Sequence, residues 1–256
     1  MPATKPTVGI FGLTCCAGCQ LSILNCEDEL LALADVIDIR DFLMAASDGD
    51  AFSTLDVAFV EGTVLTHEDE ERLQRVRRRA RTLVAVGTCA VQGGVPAMAP
   101  ELDWHEGIRD VYGPEGAQFD ALPPRAVHEC VEVDFGLPGC PIEKHEFLLA
   151  VADLLNGNPP QLPAYPVCTE CKMRECDCLL TDRGALCHGP VTRAGCHARC
   201  PSYGIPCIGC RGPAPDANYE AATEIYVSKG WMPGEVEVRL RTFGPLPVPA
   251  AVGEDA

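Results

Sequence analysis

Cysteine content constrains this chain more than any other feature, because sixteen of its 256 residues are cysteines. Nine of these lie between Cys168 and Cys210, among glycines and prolines and with little hydrophobic periodicity. In a chain of this length, such a content indicates disulfides, zinc sites or iron–sulfur clusters. The redox state of the compartment decides between them, since disulfides persist in oxidising surroundings.

The N-terminal segment favours a reducing compartment. Residues 1–6 lead into a strand-like run without the charged start, apolar stretch and cleavage site of a secretory signal, and they carry no twin-arginine motif. No apolar run approaches the length that spans a bilayer. We therefore expect a cytoplasmic protein without membrane insertion, in which the cysteines ligate metal. A disulfide-stabilised binding protein is the alternative, and it would need an oxidising compartment.

The net charge of the chain argues against one large class of partners. At pH 7 the formal net charge is -17. Proteins that bind nucleic acid use a basic surplus to displace counterions from the phosphate backbone, and this chain has none. We therefore expect no nucleic-acid partner, and we interpret the acidic surface as a source of solubility.

The first half of the chain alternates apolar runs with amphipathic ones. The strand-like runs are residues 8–13, 36–39, 57–60 and 83–87, and the helical patterns are residues 16–33 and 67–81. This alternation predicts a doubly wound α/β domain, with a parallel sheet and helices on both faces. Ligands of such sheets gather beyond the carboxyl ends of the strands, where Cys16 and Cys89 both fall.

A proline-rich break follows the last helical pattern of this half. Residues 131–133 and 137–141 are strand-like, Cys140 lies in the second of them, and residues 143–155 have a helical pattern. The break predicts two domains, residues 1–158 and residues 159–256. We expect inorganic centres to hold the cysteine-rich segment together, since it has few apolar residues for a core. Beyond it the pattern predicts a helix from residue 218, a strand at 236–240 and a loose tail after Pro245.

The cysteines divide into three groups of four. Thiolates are soft anionic donors, and each cubane iron–sulfur cluster needs four of them. The first group is Cys16, Cys19, Cys89 and Cys140. The second group is Cys168, Cys171, Cys178 and Cys187. The third group is Cys196, Cys200, Cys207 and Cys210.

Four cysteines remain outside these groups. We expect Cys26, within a helical pattern, and Cys130, within a strand-like one, to pack in the core. Cys15 and Cys176 adjoin assigned ligands and leave those assignments open by one position. C-x2-C pairs also occur in zinc ribbons and thioredoxin-like sites, so a structural zinc-binding scaffold built from the second half stays an alternative.

Three short motifs of the first half, taken in order, resemble the small subunit of [NiFe] hydrogenases. They are C-A-G-C at 16–19, G-T-C-A-V-Q-G-G at 87–94 and P-G-C-P at 138–141. The resemblance implies a flavodoxin-like domain whose proximal [4Fe-4S] cluster is bound by the first group of cysteines. Many members place a glutamate directly before the first proximal ligand. This chain has Cys15 there, so a proton route through that residue is not carried over.

The second half resembles the same family. C-H-G-P-V-T at 187–192, Cys196 and C-I-G-C at 207–210 are similar to its distal and medial cluster segment, which makes the second group distal and the third medial. Exported members have a histidine as first distal ligand and a proline that leaves a three-iron medial cluster. Cys168 and Cys200 take those positions here, which implies three [4Fe-4S] clusters. His188 and His197 are spare donors that we expect to serve in hydrogen bonding or to be exposed.

The resemblance also implies the function. All-cysteine ligation is similar to the cytoplasmic groups, which include viologen-reducing, F420-reducing and NAD(P)-linked sulfhydrogenase-like enzymes. In these enzymes the Ni–Fe catalytic centre lies on a partner large subunit, so no catalytic residue is expected here. The chain would pass electrons to a flavin or iron–sulfur subunit near Cys168 and Cys171. The tandem Cys15-Cys16 is similar to the adjacent cluster ligands of a complex I iron–sulfur subunit, which is the alternative function. That subunit lacks a segment corresponding to residues 168–210.

Overall fold

A five-stranded parallel sheet forms the first half of the chain in the computed structural model, which describes residues 5–47, 49–50, 52–99 and 101–246. Its strands are β1 (Thr7–Gly12), β2 (Asp38–Asp41), β3 (Leu55–Glu61), β4 (Ala80–Val86) and β5 (Phe135–Leu137). Their order across the sheet is β2-β1-β3-β4-β5, and all pairings are parallel. This is the flavodoxin-like order, so the predicted α/β class is confirmed. The strand order reverses between β1 and β3.

Both faces of this sheet are covered. Phe59 of β3 packs edge-on against Phe147 of α6 (Lys144–Leu155), with ring centroids 5.2 Å apart. On the opposite face, Val60 packs in a second core with Leu73 and Val76 of α3 (His67–Arg79). Parallel strands buried on both faces are almost continuously apolar, which is why the sequence identified β1, β3 and β4.

The helical pattern at 16–33 is two helices instead of one. α1 (Gly18–Leu24) and α2 (Glu27–Ala34) are separated by Asn25 and Cys26. Cys26 is fully buried, and its Sγ lies 3.5 Å from the Ser22 carbonyl oxygen. It therefore packs in the core as predicted, but it precedes α2 and does not lie within a helix.

The segment between β4 and α6 contains one further difference from prediction. It holds α4 (Gly87–Gln92), α5 (Trp104–Tyr112) and 3-10 turns at Val95–Ala97, Gly113–Gln118 and Val127–Glu129. The predicted strand at residues 131–133 is wrong, because the Val131 N–H bonds back to the Val127 carbonyl and β5 is the strand of this described segment that pairs with β4. Cys130 ends the last turn and packs partly buried against the core, as expected.

The second half is helical and irregular. Its helices are α7 (Val167–Met173), α8 (Leu179–Arg183), α9 (Arg199–Ser202), α10 (Tyr219–Ser228) and α11 (Pro233–Leu240). The predicted strand at residues 236–240 is wrong. Pro233 occupies the start of α11, where its missing N–H costs nothing, and Val236 and Leu240 share the buried face while Val238 is 71% exposed. Val236, Val238 and Leu240 alternate with charged residues, which is also the pattern of a half-buried strand, and this caused the wrong prediction.

A small apolar core in this half also corrects an expectation. Tyr226, Val236 and Val167 are completely or almost completely buried there, together with Cys187 and Cys207. Apolar packing therefore contributes to holding this half together, and it surrounds the cysteines themselves. The division at residue 158 stays a prediction. Residues 1–4 and the predicted tail from 247 onward lie outside the described residues. No described helix has the length and apolar character needed to cross a membrane.

Candidate metal centres

The four cysteines of the first group meet at one edge of the sheet. Cys16 and Cys19 follow β1, Cys89 lies in α4 directly after β4, and Cys140 follows β5. Carboxyl ends of parallel strands share one edge, and the reversal between β1 and β3 opens a crevice there. The Cys89 thiol lies close enough to Cys140 and Cys16 for their charges to raise its pKa. The charge of Cys140 raises the pKa of Cys19 in the same way. The structure thus brings together all four predicted proximal ligands.

Glycines make the space around these sulfur atoms. A Cβ on Gly94 would lie 2.7 Å from the Cys89 Sγ, and one on Gly87 would collide with the Cys19 Sγ. Both glycines also have positive φ angles, of 60° and 82°. The Gly93 N–H bonds to the Cys89 carbonyl at 3.0 Å, so this amide serves the turn and does not point to sulfur.

Glu61, at the end of β3, is a site residue that the sequence analysis missed. Its buried carboxylate accepts hydrogen bonds from the Cys19 N–H at 2.9 Å, from the Gln20 N–H at 3.2 Å and from the Gln20 side chain at 3.0 Å. Glu61 therefore caps the helix that carries Cys19. A charged residue ending an apolar strand was the available signal.

Burial and this carboxylate make the thiols of Cys15 and Cys19 hard to ionise, since both raise the pKa of each. Burial, followed by the Glu61 charge, raises the pKa of Cys15 to about 11 and that of Cys19 further still. A bound metal centre would supply the positive charge that stabilises thiolates, so its binding releases protons. Cys15 is close enough to interact with Cys16 and Cys89, which keeps the predicted ambiguity of one position open.

Three cysteines of the third group line a cavity of about 350 Å³ between the two halves of the chain. Cys196, Cys200 and Cys210 line it together with the proximal Cys140. Burial, followed by the Cys196 charge, raises the pKa of Cys210 to about 11, although a backbone hydrogen bond from Cys140 favours the thiolate. Cys207 does not line this cavity. It is buried, and the charge of Cys210 raises its pKa.

Glu170 holds the loop that presents Cys196, and it too was missed. Its buried carboxylate accepts hydrogen bonds from the Gly195 N–H at 2.8 Å and from the Ala198 N–H at 3.0 Å. The loop needs this support because Gly195, His197 and Ala198 all have positive φ angles, of 120°, 53° and 48°. Since α7 carries Glu170, the residue also ties the second group of cysteines to the third.

The second group lies around α7. Cys168 and Cys171 are on this helix, and Cys178 precedes α8. Burial raises the pKa of Cys168 to about 11, and the charges of Cys187, Cys171 and Cys178 add to the effect. Cys178 acts on both thiols of the C-x2-C pair, whereas Cys176 hydrogen-bonds with Cys171. The assignment of Cys178 rather than Cys176 to the second group therefore stays a prediction, open by one position.

Two histidines, His188 and His197, are near these cysteines in the sequence. His188 is buried, burial lowers its pKa to about 4, and its ring centroid is 6.3 Å from that of Tyr226. His197 is exposed and packs against His145, with ring centroids 4.5 Å apart. The sequence predicted hydrogen bonding or exposure for these residues: His188 interacts with the Ile208 backbone, and His197 is exposed.

Hydrogen bonds join the three groups in series. The Thr88 hydroxyl accepts from the Gly139 N–H at 3.0 Å and donates to the Cys210 carbonyl at 2.5 Å, which connects the first group with the third. The Cys207 N–H donates to the Cys187 Sγ at 3.2 Å, which connects the third group with the second. The third group therefore lies between the other two.

The spacing of these side chains differs from that of a single-ion site. Within the described ranges, no group of three or more His, Cys, Asp or Glu side chains converges closely enough to hold one metal ion. A structural zinc site needs four donors about 2.3 Å from one ion when they are thiolates. Among the described residues, these thiols therefore do not form a preformed single-ion site.

The sheet has the flavodoxin strand order and carries thiols at its switch point, and a cysteine-rich half follows it in the chain. Together these features indicate the class of iron–sulfur redox subunits. The chain belongs to the family described as NADH ubiquinone oxidoreductase, 20 Kd subunit, whose model matches residues 16–154. That match contains the whole first group of cysteines and ends before the other two.

Relatives that extend over both halves are hydrogenase subunits. The chain is 42% identical to the sulfhydrogenase 2 subunit delta of Pyrococcus furiosus, over 92% of this chain and 98% of the relative. It is 30% identical to a subunit of the F420-non-reducing hydrogenase of Methanocaldococcus jannaschii, over 80% and 81% of the two chains. A chain of an NAD+-reducing [NiFe]-hydrogenase in the H2-reduced state superposes with a TM-score of 0.57 and 31% identity, over 62% of this chain and 96% of that one. The predicted kinship with [NiFe] hydrogenase small subunits is thus confirmed.

Proposed function

We propose that this chain is the electron-transferring small subunit of a cytoplasmic [NiFe] hydrogenase, with three [4Fe-4S] clusters on its twelve grouped cysteines. The proximal cluster would be held by the first group, the medial by the third and the distal by the second. The observation that carries the proposal is the serial contact of the groups, through Cys140 beside the medial cavity and through the 3.2 Å hydrogen bond from Cys207 to Cys187.

The residues of this chain would bind and orient the clusters and keep them apart from water. Each cluster, when bound, supplies a centre that gains and loses one electron. Glu61 and Glu170 hold the segments that present Cys19 and Cys196. Thr88 joins the proximal site to the medial site through its hydrogen bond to the Cys210 carbonyl. Hydrogen bonds to sulfur, burial and nearby charge then set the potential of each site.

The two ends of this relay face different partners. Cys16 is exposed, so the proximal end is open to a hydrogenase large subunit that carries the Ni–Fe centre. At the other end Cys178 is exposed and Met173 is 76% exposed, which leaves room for a flavin or iron–sulfur acceptor subunit. A complex I-like role is less well supported, because the similarity to the sulfhydrogenase subunit covers 92% of the chain, including residues beyond that family match.

Metal and sulfide analysis tests the proposal. We expect about twelve irons and about twelve acid-labile sulfides per chain in the anaerobically purified complex, from three four-iron clusters. Cys210→Ser should lower the iron content by about one to four atoms, because it removes one medial thiolate and leaves a three-iron centre or an empty medial site. Cys130→Ser is the matched control and should leave the iron content unchanged. Mainly zinc, or about four irons in the unmodified protein, would contradict the relay.

A further inference from the structure

Arg211, the residue after Cys210, is a buried cation with one side left free. Only 2% of its surface is exposed. Its Nη2 donates to both carboxylate oxygens of Glu146, at 2.7 and 2.8 Å, and its Nε donates to the Ala194 carbonyl at 2.9 Å. Its Nη1 is buried and has no hydrogen-bond partner among the described residues. Buried donors without acceptors are costly, so an acceptor is expected beside it.

The free side of Arg211 belongs to the medial site. Arg211 lines the same cavity of about 350 Å³ as Cys196, Cys200 and Cys210. A cluster held by these cysteines is rich in sulfur acceptors, which would satisfy Nη1.

The backbone is shaped around this ion pair. A Cβ on Gly195 would lie 2.5 Å from the Glu146 Oε1 and would collide with the Arg211 Nη2. Gly195 also has a φ angle of 120°, and its N–H is held by Glu170. Since Glu146 is on α6 and Arg211 is 65 residues away, the pair also fastens the sheet half to the medial loop.

We propose that Arg211 tunes the reduction potential of the medial cluster and that Glu146 moderates this effect. The inference rests on the proposed function. A medial cluster held at this site would gain one electron on reduction, supplied by the proximal cluster, and would become more negative. A neighbouring guanidinium stabilises the more negative form and raises the potential, whereas the Glu146 carboxylate opposes it. Arg211 is thus a positioning residue that acts through the cluster and its cysteines.

Redox titration of the assembled complex, followed by electron paramagnetic resonance, tests this role through shifts of opposite sign. Arg211→Gln should lower the medial potential, because it removes the cation and leaves the Glu146 carboxylate. Glu146→Gln should raise the medial potential, because the cation keeps its position but loses its counter-charge. Arg211→Lys should shift the potential less than Arg211→Gln, since the charge is retained. The proximal and distal potentials should move least.

Arg77→Gln is the matched control, because Arg77 pairs with Asp134 at 2.8 Å next to the amino-terminal ends of β4 and β5, away from the cysteine edge. It should leave all three potentials unchanged. Shifts of the same sign in Arg211→Gln and Glu146→Gln, or no medial shift in either, would overturn the inference. If Arg211→Gln loses its medial cluster, the sign of the Glu146→Gln shift decides. Absence of a medial cluster from the unmodified complex would instead refute the proposed function.

Discussion

Hydrogen-dependent reduction of every acceptor is expected to stop in a complex that carries Cys16→Ser. Cys16 belongs to the group at the sheet edge that would face the large subunit, so each electron from hydrogen would enter there. Serine replaces a soft thiolate by a harder oxygen ligand. Loss or misfolding of this site also disturbs subunit docking, because metal binding and local folding are coupled.

Cys168→Ser removes one thiolate from the other end of the relay and is the informative comparison. Electron delivery to the native acceptor should fall sharply, because a harder ligand lowers the distal potential. Small dyes that accept electrons from another cluster should retain part of their rate. The measurement is the ratio of dye turnover to native-acceptor turnover, on complexes of equal nickel content. The order of the clusters is wrong if Cys168→Ser abolishes both activities while Cys16→Ser spares them.

The second large effect concerns the chain without its partner. The purified small subunit should show no hydrogen oxidation with a viologen dye, although its clusters accept electrons from a chemical reductant. Twelve of the sixteen cysteines are assigned to clusters, and the remaining four, Cys15, Cys26, Cys130 and Cys176, lie in different parts of the fold and do not form a set for nickel. The relatives at 42% and 30% identity are likewise named as subunits of larger enzymes.

Reconstitution provides the control for this prediction. Adding a nickel-loaded large subunit to the same preparation should restore dye reduction, which excludes damage to the small subunit as the cause. Turnover by the single chain, at a nickel content too low to explain it, would contradict the assignment of catalysis to the partner.

The sheet was predictable because its strands are buried on both faces. β1, β3 and β4 are nearly continuous apolar runs, and each has a clear helical pattern or turn beside it. β2 was placed about two residues too early, since exposed Val36 resembles a strand residue while the strand itself is Asp38–Asp41. The strand predicted at 236–240 is a helix in the structure, because Pro233 starts a helix there and Val236 and Leu240, four residues apart, lie on its buried face.

The cysteine groups were predictable in composition, but the charges that support them were not. Each supporting contact joins residues far apart in the chain: 42 residues from Cys19 to Glu61, 25 from Glu170 to Gly195 and 65 from Glu146 to Arg211. A charged residue in an apolar run shows that something is unusual there, but the local sequence does not show which distant residue it pairs with. Only the packed fold shows which carboxylates are buried and what they hold.

The number and type of the clusters test the account most directly. Mössbauer and electron paramagnetic resonance spectroscopy of the assembled complex, enriched in a Mössbauer-active iron isotope, count four-iron and three-iron centres separately. The account predicts three [4Fe-4S] clusters and no three-iron signal after oxidation, because Cys200 lines the medial cavity with Cys196 and Cys210. Cys200→Pro should convert only the medial cluster to a three-iron centre. A three-iron signal in the unmodified protein, or fewer than three clusters, would contradict the account.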